Sequence, residues 1–459
     1  MRTKIPRRRA LLVALALLWP ATESARAGGL AVNEASPRLD GTALSGTAAW
    51  ADDPSMAFYN PAGLTRLAGG GITMGLSLID LDVDFAASKA TTWGQPITGA
   101  GGSMGASGGS FVPVPSFHLA QRVAPDWVVY MGVTGPFGDQ TNYDDTSVTR
   151  YVGTLSEIKT INGNPAVAWE PIPGLSLGVG FNVQYMRAHI NQKFAIPTIP
   201  INPAFDVNAL ILADDWAFGW NAGVLWEVDD TLRFGLGYRS AIHHTLEGDA
   251  QFDLPHALDP LLPILGVHNP TLADARAGMI VPESLTLSGF WHALPWLDLM
   301  NDVQWTHWSS FQELELGFDY TNLPPNSPLG ALLPASDTVY ENFRNAWRAT
   351  LGAQIHASDD VRLRFGSGFD GSPVYNANRT IRLPDANRIL LALGLGWTVW
   401  DDVAVDFAYT HYFVSSGTLN DTNTTVDASQ LAGSVSGGAN VFALQLTYLW
   451  DGLPLGLGE

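Results

Sequence analysis

Side-chain character alternates with a period of two along most of this chain. Between residues 347 and 356 one parity reads Trp347, Ala349, Leu351, Ala353, Ile355 and the other Arg348, Thr350, Gly352, Gln354, His356. Successive side chains of a strand point to opposite faces, so this spacing sorts apolar from polar residues onto the two sides of a sheet. The pattern returns at 232–239, 361–366, 403–410 and 441–450. Gly, Pro, Asn and Asp separate the runs, as they do between strands.

Such strands build either a sandwich in water or a closed barrel in a bilayer. Charged residues make up only 15% of the chain, against about 25% for soluble domains. Many of the 47 glycines fall on the polar parity, where a crowded lumen needs small groups. Trp226, Trp296, Trp308, Trp397, Trp400 and Trp450 stand at or near segment ends, where barrels carry aromatic girdles. Very short links (171–174, 229–230, 294–295, 358–360, 401–402) alternate with long ones (192–213, 248–277, 317–338). That is the alternation of periplasmic turns and extracellular loops. The long connections carry Leu, Ile and Pro, so an apolar mouth is expected.

The expected fold is all-β: a transmembrane antiparallel barrel of about fourteen strands, an even number as single-chain barrels have. Strand starts are expected near Gly71, Ser116, Trp127, Thr154, Leu175, Trp216, Leu232, Glu283, Leu297, Asn345, Asp360, Ala386, Val403 and Asn440. Residues 1–27 read as a signal peptide. Arg2, Lys4, Arg7, Arg8 and Arg9 precede a short apolar run, and Ala25-Arg26-Ala27 is a small-x-small cleavage site. Residues 28–69 lack alternation but are too apolar for a solvated tail, so an N-terminal plug inside the barrel is expected. The barrel should then span 70–450 and leave a C-terminal tail at 451–459.

The net charge of −20 argues against nucleic acid as a partner. There is no cysteine, which suits a chain that crosses an oxidising space unfolded. Serines and histidines are present, His118, His189 and His356 among the latter, but no Gly-x-Ser-x-Gly nucleophile elbow surrounds a serine in a strand-to-helix context. No catalytic residue is therefore assigned. His243-His244 has no further ligand at metal spacing, so no metal and no cofactor are expected.

Gly28-Gly29-Leu30-Ala31-Val32-Asn33-Glu34, Ser45-Gly46, Ala51-Asp52-Asp53 and Asn60-Pro61-Ala62-Gly63 follow one another just behind the signal peptide. This ordered set resembles the N-terminal hatch of the outer-membrane long-chain fatty acid and hydrophobic-compound transporter family (FadL/TodX-type, OMPP1). Val133-Thr134-Gly135-Pro136-Phe137-Gly138 resembles the family's third strand, and Gly180-Phe181-Asn182 with Tyr185 its fifth. Val281-Pro282-Glu283-Ser284, 302–311, Ala346-Trp347-Arg348, Ser372-Pro373-Val374 and Leu383-Pro384-Asp385-Ala386-Asn387-Arg388 extend the likeness over nearly all of the mature chain.

The resemblance implies passive uptake of hydrophobic small molecules across the outer membrane of a Gram-negative bacterium, by capture in an apolar pocket, a shift of the hatch and sideways release into lipid. Asn60, Pro61 and Ala62 would carry the hatch motif. Pro136, Phe137 and Gly138 would form a lateral gate by kinking the third strand. Pro136 lacks an N–H and Gly138 tolerates unusual angles. The residues alone leave open whether Pro136 bends the strand or ends it. Asp52 and Asp53 would anchor the hatch, with Arg348, Arg362 and Arg364 as candidate lumen cations to receive them.

The family's headgroup position falls at Gln192, beside Lys193. A neutral residue there keeps neutral hydrocarbons open beside fatty acids as cargo. A general porin and an outer-membrane lipase are the remaining alternatives. Expected partners are outer-membrane lipid, the hydrophobic ligand and the barrel assembly machinery, with the protein a monomer, since closure leaves no free edge. The tail after Trp450 departs from barrels that end on an aromatic residue.

Overall fold

The computed structural model describes residues 29–452, apart from 197–200, 261, 266–267, 324–332, 334 and 424–427. The expected signal peptide at 1–27 and the tail from 453 lie outside the described residues.

Among the described residues, 14 wall strands form one antiparallel sheet closed on itself. They are β1 (Gly70–Thr92), β2 (Ser110–Ala124), β3 (Trp127–Thr134 and Gly138–Asn142), β4 (Leu155–Ile172), β5 (Leu175–Phe194), β6 (Val207–Glu227) and β7 (Leu232–Arg239 and Ile242–Asp253). The wall continues with β8 (Thr271–Val281 and Ser284–Leu294), β9 (Leu297–Thr306 and Glu313–Tyr320), β10 (Ser336–Tyr340 and Ala346–His356) and β11 (Val361–Asp370). It ends with β12 (Arg388–Trp400), β13 (Val403–Val414 and Gly417–Asn423) and β14 (Ser429–Trp450). Pairing of β1 with β14, from Gly70↔Trp450 onward, removes both edges.

Near the short turns the apolar parity faces outward. Trp216, Phe218 and Trp220 on β6, and Phe442, Leu444 and Leu446 on β14, are all exposed. So large an apolar surface needs lipid over it. Trp226, Trp296, Trp397 and Trp400 stand exposed at the short-turn rim, and Trp127 stacks on Trp169 at 5.4 Å. Trp308 does not join this girdle. It lies in a 3-10 turn where β9 breaks, is 1% exposed, and packs inside against Phe137 and Phe343.

Toward the long loops the phase inverts. On β5, outward Leu177, Val179 and Phe181 give way to Arg187 and His189, while inward Ser176, Asn182 and Gln184 give way to Met186, Ala188 and Ile190. β6, β7 and β8 do the same, with Val207, Ala209, Ile211, Leu246, Phe252, Ala273 and Met279 turned inward and buried. Outside the bilayer the wall meets water, so polar residues cover it and apolar ones retreat to the interior. The upper lumen is consequently hydrophobic.

This inversion explains the misplaced strand starts. Starts at the short-turn rim fall at Trp127, Leu175, Leu232, Leu297, Val361 and Val403, within a residue of expectation. Five of the seven starts at the loop rim come earlier than expected: Ser110, Val207, Thr271, Ser336 and Ser429 rather than Ser116, Trp216, Glu283, Asn345 and Asn440.

Candidate ligand cavity and lateral gap

Among the described residues, the ladder between β2 and β3 stops short. Their pairing runs from Ala124↔Trp127 to Phe117↔Val133 and stops. Two physical causes act there. Arg122 N–H donates to Gly69 O, immediately before β1. Period-two alternation then turns the odd-numbered N–H groups of β2 toward β3. Two of those positions are Pro113 and Pro115, which have no N–H, so this edge offers no donor where the ladder stops.

The second cause lies on β3. Thr134 pairs with Asn162 and Gly138 with Lys159, so four steps on β3 oppose three on β4. That extra residue makes a bulge, which bends a strand and raises its twist. Gly135, Pro136 and Phe137 occupy it, and Phe137 N–H turns to Thr160 Oγ1 at 3.0 Å.

The edge of β3 left by β2 is taken by residues 30–32 of the segment before β1. Val32 N–H donates to Pro136 O at 2.9 Å and Gly138 N–H to Leu30 O at 3.0 Å, around an Ala31↔Phe137 bridge. Residues 30–32 thus act as a short substitute strand. Gly29 N–H is held in turn by Asp385 Oδ2 at 2.9 Å.

A cavity of about 400 Å³ crosses the break. Its lining includes inward Val112, Val114 and Thr160 together with outward Pro113, Pro115, Lys159 and Ile161, so it joins the lumen to the lipid-facing surface. Ile79, Leu81, Val83, Phe137, Ile158 and Leu383 make it largely apolar. Its volume lies within the roughly 300–1,000 Å³ of small-molecule sites. Four carboxylates border it (Glu34, Asp82, Asp139, Asp385) and two cations, Lys159 and Arg388. Both cations are spoken for: Lys159 pairs with Glu157 at 2.6 Å and Arg388 with Asp370 at 3.0 Å.

The segment before β1 fills the lumen below. Asn60 caps the 3-10 helix Pro61–Arg66 by accepting from Ala62 N–H, and its amide donates to Ala48 O and to Val224 O on β6. Pro61 and Ala62 start this helix, both buried. Wall glycines permit the close approach. A Cβ on Gly235 would strike Ala48 O, and one on Gly223 would strike Asn60 Oδ1.

The anchoring differs from the expected pairs. Asp53 meets Arg38 of its own segment at 3.1 Å, and Asp52 faces Arg233 at 3.6 Å. Neither pairs with Arg348, Arg362 or Arg364. Arg364 is held by Asp406 of β13 at 2.6 Å, and Arg362 donates to the turn carbonyls of Ser358 and Asp359. Arg348 is buried, and its Nε and Nη2 have no partner. The wall also grips the segment by its backbone. Arg233 donates to Ala49 O and Trp50 O, Arg239 to Phe58 O, and Asp302 accepts from Gly46 and Thr47 N–H. Arg38 links the two sides, bonding Asp53 and Asp406 together. Burial alone would lower its pKa, but those acids more than offset this and raise it. Asp40 is pushed well above the ordinary carboxylate range by burial and by Glu34 beside it.

Gln192 and Lys193 do not act together, because adjacent strand residues face opposite ways. Gln192 is buried in the lumen and accepts from Arg382 Nη2, whereas Lys193 pairs outside with Asp145 at 3.3 Å. Arg382, in the connection before β12, is the cation that reaches this place, and its buried Nη1 has no partner. Burial lowers its pKa, while Asp337, Asp421 and Glu341 act to raise it. His118 is a core residue, held by Ala35 O and Tyr130 OH.

A family model described as outer membrane protein transport protein (OMPP1/FadL/TodX) matches residues 18–450. The long-chain fatty acid transport protein of Escherichia coli O6:H1 is 29% identical over 420 residues, covering 86% of this chain and 89% of the relative. Outer membrane protein P1 of Haemophilus influenzae is 25% identical over 483 residues, covering 95% and 98%. Among solved structures, a Pseudomonas aeruginosa FadL homologue superposes with a TM-score of 0.80 at 23% identity, covering 92% of this chain and 99% of that one. The Pseudomonas putida toluene transporter TodX gives 0.65 at 12% identity, covering 94% and 100%.

Proposed function

Since the chain belongs to the outer membrane protein transport family (OMPP1/FadL/TodX), we propose that it takes up small hydrophobic molecules passively across the outer membrane and releases them sideways through the break between β2 and β3. The observation that carries this reading is the cavity that runs from the lumen around the β2 edge to the lipid face. Cargo leaves water at the apolar upper lumen, driven by roughly 25 cal/mol per Å² of apolar surface buried. It then moves to the cavity lined by Val112, Phe137 and Ile161. Pro136, Phe137 and Gly138 act as the lateral gate, residues 30–32 as its latch, and the Asn60-Pro61-Ala62 segment as the hatch below. The chemistry is binding and gating, with no bond made or broken, and a monomer suffices.

The prolines are part of the gate. Replacing Pro113 and Pro115 by valine returns two donors to the edge facing β3. Each new ladder bond adds about 1 kcal/mol, so uptake of a hydrophobic tracer should fall roughly tenfold or more. Full uptake by the folded double variant would remove these prolines from the mechanism.

The charges around the cavity favour neutral cargo, such as an alkane or aromatic hydrocarbon. Four carboxylates border it and both cations are paired. The second reading, a long-chain fatty acid, is favoured by Arg382, whose free Nη1 beside Gln192 suits a carboxylate. Three nearby acids already balance that charge, which makes it the weaker reading. Proteoliposomes offered a labelled hydrocarbon and a labelled fatty acid side by side decide between them. The expected outcome is faster hydrocarbon uptake, unchanged by Arg382→Met. Preference for the fatty acid, lost in Arg382→Met, would establish the second reading instead.

A further inference from the structure

A separate cluster lies at the periplasmic rim, far from the gap in strand order. Cross-strand register brings it together. His292 of β8 lies directly opposite Asp298 of β9, and Asp298 lies opposite Gln354 of β10. His356 is two residues beyond Gln354 and therefore shares its face. Three consecutive strands thus turn two imidazoles and a carboxylate toward one point.

The geometry is close. His292 Nδ1 lies 2.5 Å from Asp298 Oδ1, and His356 Nε2 lies 2.7 Å from Asp298 Oδ2. One ligand atom from each of the three residues falls within 4.8 Å of the others. The imidazole rings stand at 81° to one another. Gln354 Nε2 donates to Asp298 Oδ2 at 2.9 Å, a supporting contact of the kind that fixes ligand carboxylates. Asp298 is buried, while the His292 and His356 side chains are 39% and 26% exposed to a cavity of about 360 Å³. An ion therefore has a way in, and a ligand position is left open toward the cavity.

We propose that His292, Asp298 and His356 form a binding site for a divalent cation of the zinc class. Two nitrogens and a carboxylate oxygen are a ligand set this class accepts, at about 2.0–2.2 Å with a tetrahedral arrangement. Ligand atoms around such an ion stand roughly 3.4 Å apart. The present contacts need to open by less than about 1 Å for the ion to replace the shared protons. The chain has no cysteine to offer a competing thiolate site. The five arginines of the same cavity do not stand free against a cation: Arg38 is paired with Asp53 and Asp406, Arg66 with Glu227, Arg233 with Asp52, Arg364 with Asp406, and Arg362 with turn carbonyls. The bound ion staples β8, β9 and β10 beside the two turns that frame the periplasmic mouth of the lumen.

Zinc chloride titrated into chelator-treated full-length protein in detergent tests this. One saturable site per chain is expected, with a higher melting temperature in zinc, as mass action requires. His292→Ala and His356→Ala should each weaken binding at least about tenfold. Asp298→Asn, which keeps shape and polarity, should do the same if either histidine variant folds poorly. His256→Ala, at the exposed His256–Asp259 pair, should leave binding unchanged. No saturable binding at micromolar zinc, or binding that the three ligand variants do not alter, would overturn the site.

Discussion

Cross-linking residue 32 to residue 138 should stop uptake almost completely, and a reductant should restore it. An ideal Cβ on Gly138 lies 3.8 Å from Val32 Cγ2, in van der Waals contact, so side chains at the two positions meet as a disulfide requires. The chain has no native cysteine to interfere. In Val32→Cys with Gly138→Cys, the bond pins the substitute strand formed by residues 30–32 onto the edge that β2 leaves open. If that strand must leave for cargo to pass, the oxidised protein holds the gate shut and the reduced protein works. Each single-cysteine variant controls for the substitutions themselves. The measurement is tracer uptake by proteoliposomes before and after reduction, with cross-linking followed by gel mobility. Fully cross-linked protein that still transports at the reduced rate would show that residues 30–32 are no latch.

The barrel was legible because lipid imposes a strict rule on the outward parity, and a rule visible in one strand is visible in all. The upper wall was harder to read. There water replaces lipid, the rule reverses, and β6 and β8 look as if they begin at Trp216 and Glu283 when their first residues are Val207 and Thr271. An inverted alternation, apolar at Val207, Ala209, Ile211 and Ala213, is the sequence feature that marks these extensions. Pro113 and Pro115 stood just outside the expected second strand, because proline normally argues against a ladder position. Here the ladder ends at them, and the gap needs them. Ion pairs were the least legible of all. Asp53 and Arg38 belong to one buried segment, and Gln192 meets Arg382 across 190 positions of sequence, so only the closed fold brings them together. The His292, Asp298 and His356 cluster was hidden for the same reason, since its spacing in sequence is the length of hairpins and not a metal motif.

Asp406→Asn should be the most damaging single substitution in the lumen. Its carboxylate receives Arg38 from the N-terminal segment at 3.0 Å and Arg364 from β11 at 2.6 Å, with its own side chain 1% exposed. Arg364 has no other acid within ion-pair distance, and its guanidinium also lies 5.5 Å from the Trp50 ring centre. Removing the shared charge leaves a buried guanidinium unpaired and loosens the link between wall and segment. Breaking a buried ion pair in this one-sided way costs roughly 3–5 kcal/mol. The loss should appear as a lower melting temperature of the purified protein, accompanied by basal ion conductance in planar bilayers as the lumen opens. Pairing Asp406→Asn with Arg364→Met removes the orphaned charge and should recover part of the stability, because a neutral pair of similar volume can replace an ionic one. Conductance should recover less, since Arg38 still lacks its wall partner and keeps only Asp53. A melting temperature equal to that of the unaltered protein, with a closed lumen, would mean that the backbone contacts from Arg233, Arg239 and Asp302 hold the segment without Asp406.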